Sequence, residues 1–208
     1  NSYTLLKDLQ KTRKNLILDY SLKLRGFRNA FVKGFEMVNA KARYILTMDG
    51  DLNHQPEEIE NLLKEMETSN ADIVIGSRYI KEGKVERLAI WKRAISIFAN
   101  FVMKIFWNLT IKDKTSGFRL YKKEVIDKVV PLCKSNNFAL LFEILIIARS
   151  FGLKVKEVPI TFKAREKGKS KFSLLKTTKG YFILMLKHFF SRKNEKQKPI
   201  VTRYVANQ

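Results

Sequence analysis

The segment Tyr44-Ile45-Leu46-Thr47-Met48, running straight into Asp49-Gly50-Asp51, constrains the fold more than any other stretch of the chain. A short apolar, β-branched run without polar alternation is the pattern of a strand buried on both faces. Such a strand needs helices above and below it, and it delivers polar groups at its carboxyl end, where open α/β sheets bind ligands. Asp72-Ile73-Val74-Ile75-Gly76 repeats the pattern and leads into Ser77-Arg78-Tyr79. Between the two runs, Pro56 with Glu57 and Glu58 makes a good first helical turn, because proline fits N1 and acids complement the helix dipole. Ile59, Leu62, Leu63 and Met66 then form an apolar stripe. This alternation of helix and strand predicts an α/β domain with mostly parallel strands.

The remaining elements follow from the same periodicities. Leu5, Leu6 and Leu9 predict a first helix, Leu16-Ile17-Leu18 a short strand, and Gly26 opens a helical stretch through Ala30, Phe31, Gly34, Phe35 and Val38. Residues 86–109 read as a long apolar helix with spaced cations, 113–121 as a polar loop entering a strand, and 123–130 and 138–151 as helices. Val155 to Phe162 reads as an edge strand, since Pro159 removes a ladder donor. The last third changes character: Arg165 to Lys171 is a basic loop, 172–190 has the spacing of an amphipathic helix, and 191–208 is a basic tail expected to be disordered. The catalytic domain is therefore assigned to 1–165.

With 208 residues and 45% hydrophobic side chains the chain can bury a substantial core, which excludes a disordered protein. Its 41 Lys and Arg against 20 Asp and Glu give a net charge of +21, which favours phosphates, nucleic acids or anionic membranes as partners. The single cysteine, Cys133, has no internal disulfide partner and reads as a core thiol. The start at Asn1 carries no initiator Met and no apolar leader, and reads as a truncation. A membrane-spanning helix needs about 20 mostly apolar residues. Lys92, Arg93 and Lys104 interrupt 88–109, and Lys176, Lys179 and Lys187 interrupt 172–190, so a peripheral position at a membrane is expected instead.

Asp49 and Asp51 are spaced so that, in extended backbone, both carboxylates fall on one side, while Gly50 permits a tight turn and close ligand approach. That arrangement suits Mg2+ or Mn2+, which commonly joins one or two carboxylates to substrate phosphates. His54 is either an additional ligand or an exposed loop residue. Arg78, Arg93, Arg119 and Arg165 fall in or beside loops and a helix flank, where guanidinium forks suit phosphate recognition. In Thr115-Ser116-Gly117-Phe118-Arg119, small residues allow a ligand close while Arg119 supplies charge. Glu143 lies amid Leu140, Leu141, Phe142, Ile144 and Leu145, so a buried partner such as one of these arginines is expected.

Taken together and in order, several motifs resemble the dolichol-phosphate mannose synthase branch of the family 2 glycosyltransferases. They are Met48-Asp49-Gly50-Asp51-Leu52 with His54 and Pro56; Gly76-Ser77-Arg78-Tyr79; Asp113 with Thr115 to Arg119; and Glu157-Val158-Pro159-Ile160 with Arg165, Gly168 and Ser170-Lys171. The resemblance implies a GT-A fold, with a mixed, mostly parallel sheet between helices. It implies that Asp49 and Asp51 bind metal and donor diphosphate, and that Ser77 and Arg78 line the donor pocket. Arg93, Arg119, Arg165, Ser170 and Lys171 would hold the donor diphosphate or, foremost, the acceptor phosphate, and Asp51, Arg119 and Arg165 would be catalytic. Asp113 and Glu143 would organise the cations. The implied reaction moves a hexose, foremost mannose from GDP-mannose, to a dolichyl or polyprenyl phosphate at the cytosolic face of a membrane, with inversion.

Members of that branch begin with a strand and a Pro-x-Tyr-Asn-Glu segment, then a strand ending in Asp-Asp, that bind the nucleotide. This sequence starts beyond both, so its sheet is expected to lack those first strands. Two alternatives remain: a UDP-glucose-dependent glucosyltransferase, and a noncatalytic membrane-associated subunit. A membrane-anchoring partner subunit is a further expected partner class. A nucleic-acid-binding role is disfavoured, because no RNA or DNA motif accompanies the charge and paired aspartates would repel a polyanion.

Overall fold

The computed structural model describes residues 2–19, 26–107 and 109–164. The elements in chain order are α1 (Ser2–Thr12), α2 (Phe27–Glu36), β1 (Tyr44–Thr47), α3 (Ile59–Ser69), β2 (Ile73–Ser77), β3 (Lys84–Glu86), α4 (Ile90–Trp107), β4 (Arg119–Lys122), α5 (Lys123–Val129), α6 (Ala139–Ser150), β5 (Val155–Pro159) and β6 (Thr161–Lys163). Single 3-10 turns at Pro56–Glu58 and Val130–Leu132 open α3 and follow α5.

Four strands form the main sheet in the order β1-β4-β2-β5. β4 runs antiparallel to both neighbours and β2 pairs with β5 in parallel, so three strands point one way and β4 alone points back. This is the mixed, mostly parallel sheet expected of the GT-A fold. Its faces follow the two-residue period of a strand. Ile73, Ile75 and Tyr121 face one core with α6 and the end of α4, whereas Val74, Leu120 and Val158 face a second core with Leu62 and Met66 of α3. β2 is buried at every residue, as its unbroken apolar run requires.

The expected strand at Leu16-Ile17-Leu18 does not form. Those residues are irregular, and no described segment offers them a ladder partner. The expected helix over 86–109 is shortened to Ile90–Trp107, because Lys84–Glu86 pair in parallel with β6. The edge strand over 155–162 is split at Ile160, whose N–H donates to the Ser77 carbonyl of β2 at 3.1 Å while its carbonyl accepts from Lys84 of β3 at 2.9 Å. Pro159 sits at the end of β5, whose described neighbour is β2 alone, so the missing donor costs no ladder bond there.

α6 is apolar on every side and buried over ten consecutive residues, Ala139 to Ala148. Glu143 lies within that run, and its partner is not an arginine: one carboxylate oxygen accepts the backbone N–H groups of Lys134 at 3.0 Å and Ser135 at 2.7 Å. Two amides thus do what an ion pair was expected to do. Replacing Glu143 by leucine leaves both donors without that acceptor. It is expected to cost about 1–3 kcal/mol in chemical denaturation, whereas Glu143→Gln, which keeps an acceptor, costs less. Cys133 is buried, as the sequence predicts, and burial followed by the nearby Glu143 charge pushes its thiol well above the usual range.

Candidate active site

The sheet topology gathers the motifs at one edge. Because β4 runs against β1 and β2, its amino end meets their carboxyl ends. Thr47 pairs with Arg119, and continuing that register by two residues sets Asp49 opposite Gly117. A Cβ on Gly117 would lie 3.6 Å from an Asp49 carboxylate oxygen, and Thr47 donates its hydroxyl to the Gly117 carbonyl at 2.8 Å. On the other side of β4, the Gly76 N–H donates to the Phe118 carbonyl, which brings Ser77 and Arg78 to the same edge. Asp-Gly-Asp, Ser-Arg-Tyr and Thr-Ser-Gly therefore meet because of register, although they are distant in sequence.

The Asp49 side chain is half exposed, and Asp51 accepts from Asn53 twice: its N–H at 3.2 Å and its side-chain amide at 2.9 Å. Leu52 between them has φ +61°, an uncommon conformation for a side chain of that size, and it turns the chain back so that Asn53 reaches Asp51. The Asn53 side-chain oxygen is buried without a hydrogen-bond partner. Two acids and an unsatisfied amide oxygen fit a hard divalent cation, which prefers oxygen ligands. Among the described residues no group of three Asp, Glu, His or Cys side chains could enclose a metal ion.

His54 is neither the exposed loop residue nor the ligand that its position allowed. It is buried, stacks on Phe118 with centroids 5.0 Å apart, and meets the edge of Phe162 at 5.7 Å. Its Nδ1 accepts the Asp49 N–H at 3.4 Å, which assigns the neutral form, and burial lowers its pKa despite the raising effect of Asp49. His54 thus props the first aspartate from behind.

Arg78 and Asp113 form a two-pronged ion pair, Nε to Oδ2 at 2.7 Å and Nη2 to Oδ1 at 2.8 Å, and the Arg78 N–H also donates to Oδ2. Burial alone would raise the Asp113 carboxyl, but the Arg78 charge and hydrogen bonds, with one from Thr115, outweigh it and hold the group below its usual value. The turn over 80–83 folds tightly onto this pair: a Cβ on Gly83 would lie 2.7 Å from the Ser77 carbonyl oxygen, so only glycine fits. Arg78, Arg93 and Lys112 line a cleft of about 370 Å3 with Ile80, Ile97 and Asn100.

Three expected site residues sit differently. Ser77 is fully buried and its hydroxyl accepts the Tyr79 N–H at 3.4 Å, so it shapes the turn and does not face the cleft. Arg119 is 0% exposed. Its Nε, Nη1 and Nη2 donate to the carbonyls of Ser116, Leu141 and Lys114 at 2.7, 2.6 and 2.7 Å, so it braces the 113–119 loop and does not reach a phosphate. Glu143 organises an amide turn and no cation. Arg165, Ser170 and Lys171, with the proposed segments 166–190 and 191–208, lie outside the described residues.

Several contributors had no role assigned from the sequence, Glu157 being named only as a motif residue. Glu157 caps the loop from below, its two oxygens accepting the N–H groups of Lys112 at 2.8 Å and Asp113 at 2.9 Å. Lys114 is buried, and its ammonium group donates to the carbonyls of Asn100 and Ile111. Burial lowers its pKa while Glu157 and Asp113 raise it. Lys112 and Asn53 carried no signal beyond lying one residue from Asp113 and two from Asp51.

The order and directions of this mixed sheet, with helices on both faces, are those of a GT-A fold. The family profile described as glycosyl transferase family 2 matches residues 1–130, and the chain belongs to that family. It is 39% identical over 151 residues to a dolichol-phosphate mannosyltransferase of Pyrococcus furiosus, covering 72% of this chain and 41% of that one. It is 35% identical over 151 residues to a polyprenol monophosphomannose synthase of Mycolicibacterium smegmatis, covering 71% and 56%. The chain thus spans about half the length of the curated relatives it matches. A crystal structure of glucosyl-3-phosphoglycerate synthase from Mycobacterium tuberculosis, in complex with Mn2+, UDP and glucosyl-3-phosphoglycerate, shares the fold at TM-score 0.56 and 10% identity, over 91% of this chain and 61% of that one.

Proposed function

We propose that the protein transfers mannose from GDP-mannose to a polyprenyl phosphate, with inversion at the anomeric carbon. The observation that carries this reading is the adjacency of the two sites through Arg78. Its guanidinium lies over the Phe162 ring at 5.2 Å, which also packs on His54 behind Asp49, while its other side lines the cleft. Acids for a cation-bound donor and cations for an acceptor phosphate thus share one wall. The named activities of the two relatives support the acceptor class and the sugar, and the Mn2+ and UDP of the structural neighbour support a divalent ion beside a nucleotide diphosphate.

In this reading Asp49, Asp51 and the Asn53 oxygen hold Mg2+ or Mn2+, which would neutralise charge on the departing diphosphate. Arg78 is fixed by Asp113, and Arg93 receives the acceptor phosphate. Arg119 acts through the loop it braces, and Arg165, Ser170 and Lys171 are assigned to the acceptor on their motif alone. A phosphate monoester has its second pKa near 6, so its attacking oxygen is already anionic at neutral pH and needs no protein base. The test is transfer of radiolabelled mannose or glucose from GDP-mannose or UDP-glucose to a polyprenyl phosphate by the full-length protein, with Mn2+ and with chelator. Metal-dependent mannolipid of inverted configuration is expected. Retention would overturn the mechanism, glucose transfer would change the donor, and no transfer with either donor would favour the noncatalytic reading.

An acceptor of this kind is held in a membrane, and α4 offers a surface for one. Ile90, Trp91, Ile97, Phe98, Phe101 and Ile105 are all exposed on it, at spacings of three, four and seven residues that place them on one face, beside Arg93 and Lys104. No helix among the described residues is long and apolar enough to cross a membrane. We assign this stripe to the interface of an anionic membrane, apolar side chains at the acyl boundary and cations at the headgroups. Phe98 and Phe101 are 67% and 57% exposed, so replacing both by serine should leave the melting temperature unchanged. Binding to phosphatidylglycerol vesicles, measured by sedimentation, should fall at least about tenfold, each phenylalanine being worth up to ~1.5–3 kcal/mol when buried.

A further inference from the structure

The charge balance of the cleft, taken with the acceptor reading above on which it rests, points to a residue and a selectivity that the motifs did not supply. Three cations line the cleft, but they are not equivalent. Arg78 is neutralised by its two-pronged pair with buried Asp113. The second acid nearby, Glu157, accepts two loop amides, and its charge acts on the buried ammonium of Lys114. Asp113 is thereby held by Arg78, Glu157 by two loop amides, and the Lys114 ammonium by two carbonyls, so none of them is left for a ligand. Asn100 is also committed: its side-chain oxygen accepts the Lys114 N–H at 2.8 Å and its amide donates to the Ser96 carbonyl at 3.0 Å.

What remains for a ligand is Arg93 on α4 and Lys112 on the loop. Both side chains are exposed, and neither has a carboxylate partner among the described residues. Lys112 is anchored at its backbone by Glu157 at 2.8 Å, so its side chain starts from a fixed point on the cleft wall. We propose that Lys112 and Arg93 form a two-charge clamp for the acceptor phosphate and select a dianionic phosphomonoester over a monoanionic phosphodiester. The distinction matters at a membrane, where ordinary phospholipids are diesters that carry one phosphate charge and greatly outnumber a lipid monophosphate. Ile80 and Ile97 beside the clamp would receive the first carbons of the lipid.

The test uses the full-length protein in neutral detergent micelles, with a short isoprenyl phosphate as acceptor and two competitors: decyl phosphate and its methyl diester. Decyl phosphate should compete at least about tenfold better than the diester. Lys112→Gln should raise the acceptor KM about tenfold, the loss of one charge-assisted hydrogen bond, with donor KM and kcat little changed. It should also remove most of the monoester preference, and Lys112→Arg should restore both. Lys156→Gln, on an exposed residue of β5 outside the cleft, should do neither. Equal competition by the two esters, an unchanged acceptor KM in Lys112→Gln, or the same loss in Lys156→Gln would each overturn the proposal. If the protein transfers no sugar, the function proposed above fails. Calorimetric binding of decyl phosphate against its diester, in wild type and Lys112→Gln, then decides the clamp by the same ratios.

Discussion

Asp51→Asn is expected to lower sugar transfer about a thousandfold, the scale seen when one preorganised electrostatic contact to a transition state is removed. It should leave the melting temperature nearly unchanged. The carboxylate accepts two hydrogen bonds from Asn53, and asparagine keeps one acceptor oxygen. The unpartnered side-chain oxygen of Asn53 can take the new amide's proton once its own amide turns over. Loss of Mn2+ binding, followed by electron paramagnetic resonance of the protein without substrates, should accompany the loss of transfer. A variant keeping more than about a tenth of wild-type transfer would remove Asp51 from the site.

Arg119→Met should act the other way, on stability before activity. Three carbonyls, of Lys114, Ser116 and Leu141, lose their donor at a place water does not reach. An unsatisfied buried acceptor costs about 1–3 kcal/mol, so a total of about 3–5 kcal/mol is expected. In a domain of this size that corresponds to a fall of roughly 8–15 °C in melting temperature. The donor and acceptor KM of the surviving folded fraction at low temperature should move together, because the loop serves both sites. A stable variant with a raised acceptor KM alone would return Arg119 to the phosphate.

β2 was legible because burial on both faces leaves an unbroken apolar run; β1 carries the same run and forms where expected, but only Ile45 of it is buried, since it lies at the edge of the described sheet. Residue type also named Arg78 and Asp113, yet spacing could not reveal that they pair across 35 positions. The reading of Arg119 as a phosphate ligand failed for a general reason. An arginine presents the same fork to a phosphate as to three carbonyls, and only burial distinguishes the two. Glu143 failed similarly: a buried carboxylate must find donors, but two consecutive amides satisfy it as well as a guanidinium does. Leu16 to Leu18 show the limit of short patterns, since three apolar residues make a strand only when a neighbour offers its ladder.

The placement of β4 between β1 and β2 bears on how the protein is made. Among the described strands, β1 has β4 as its one neighbour, more than 70 residues further along the chain. At about 5–20 residues per second, Tyr44 to Met48 are synthesised roughly 4–15 seconds before Arg119 exists to pair with them. During that interval an apolar β-branched segment waits beside two aspartates with no fixed geometry. The Asp-Gly-Asp turn therefore cannot be set before β4 has been made, and nascent chains halted before residue 119 should engage chaperones through this segment.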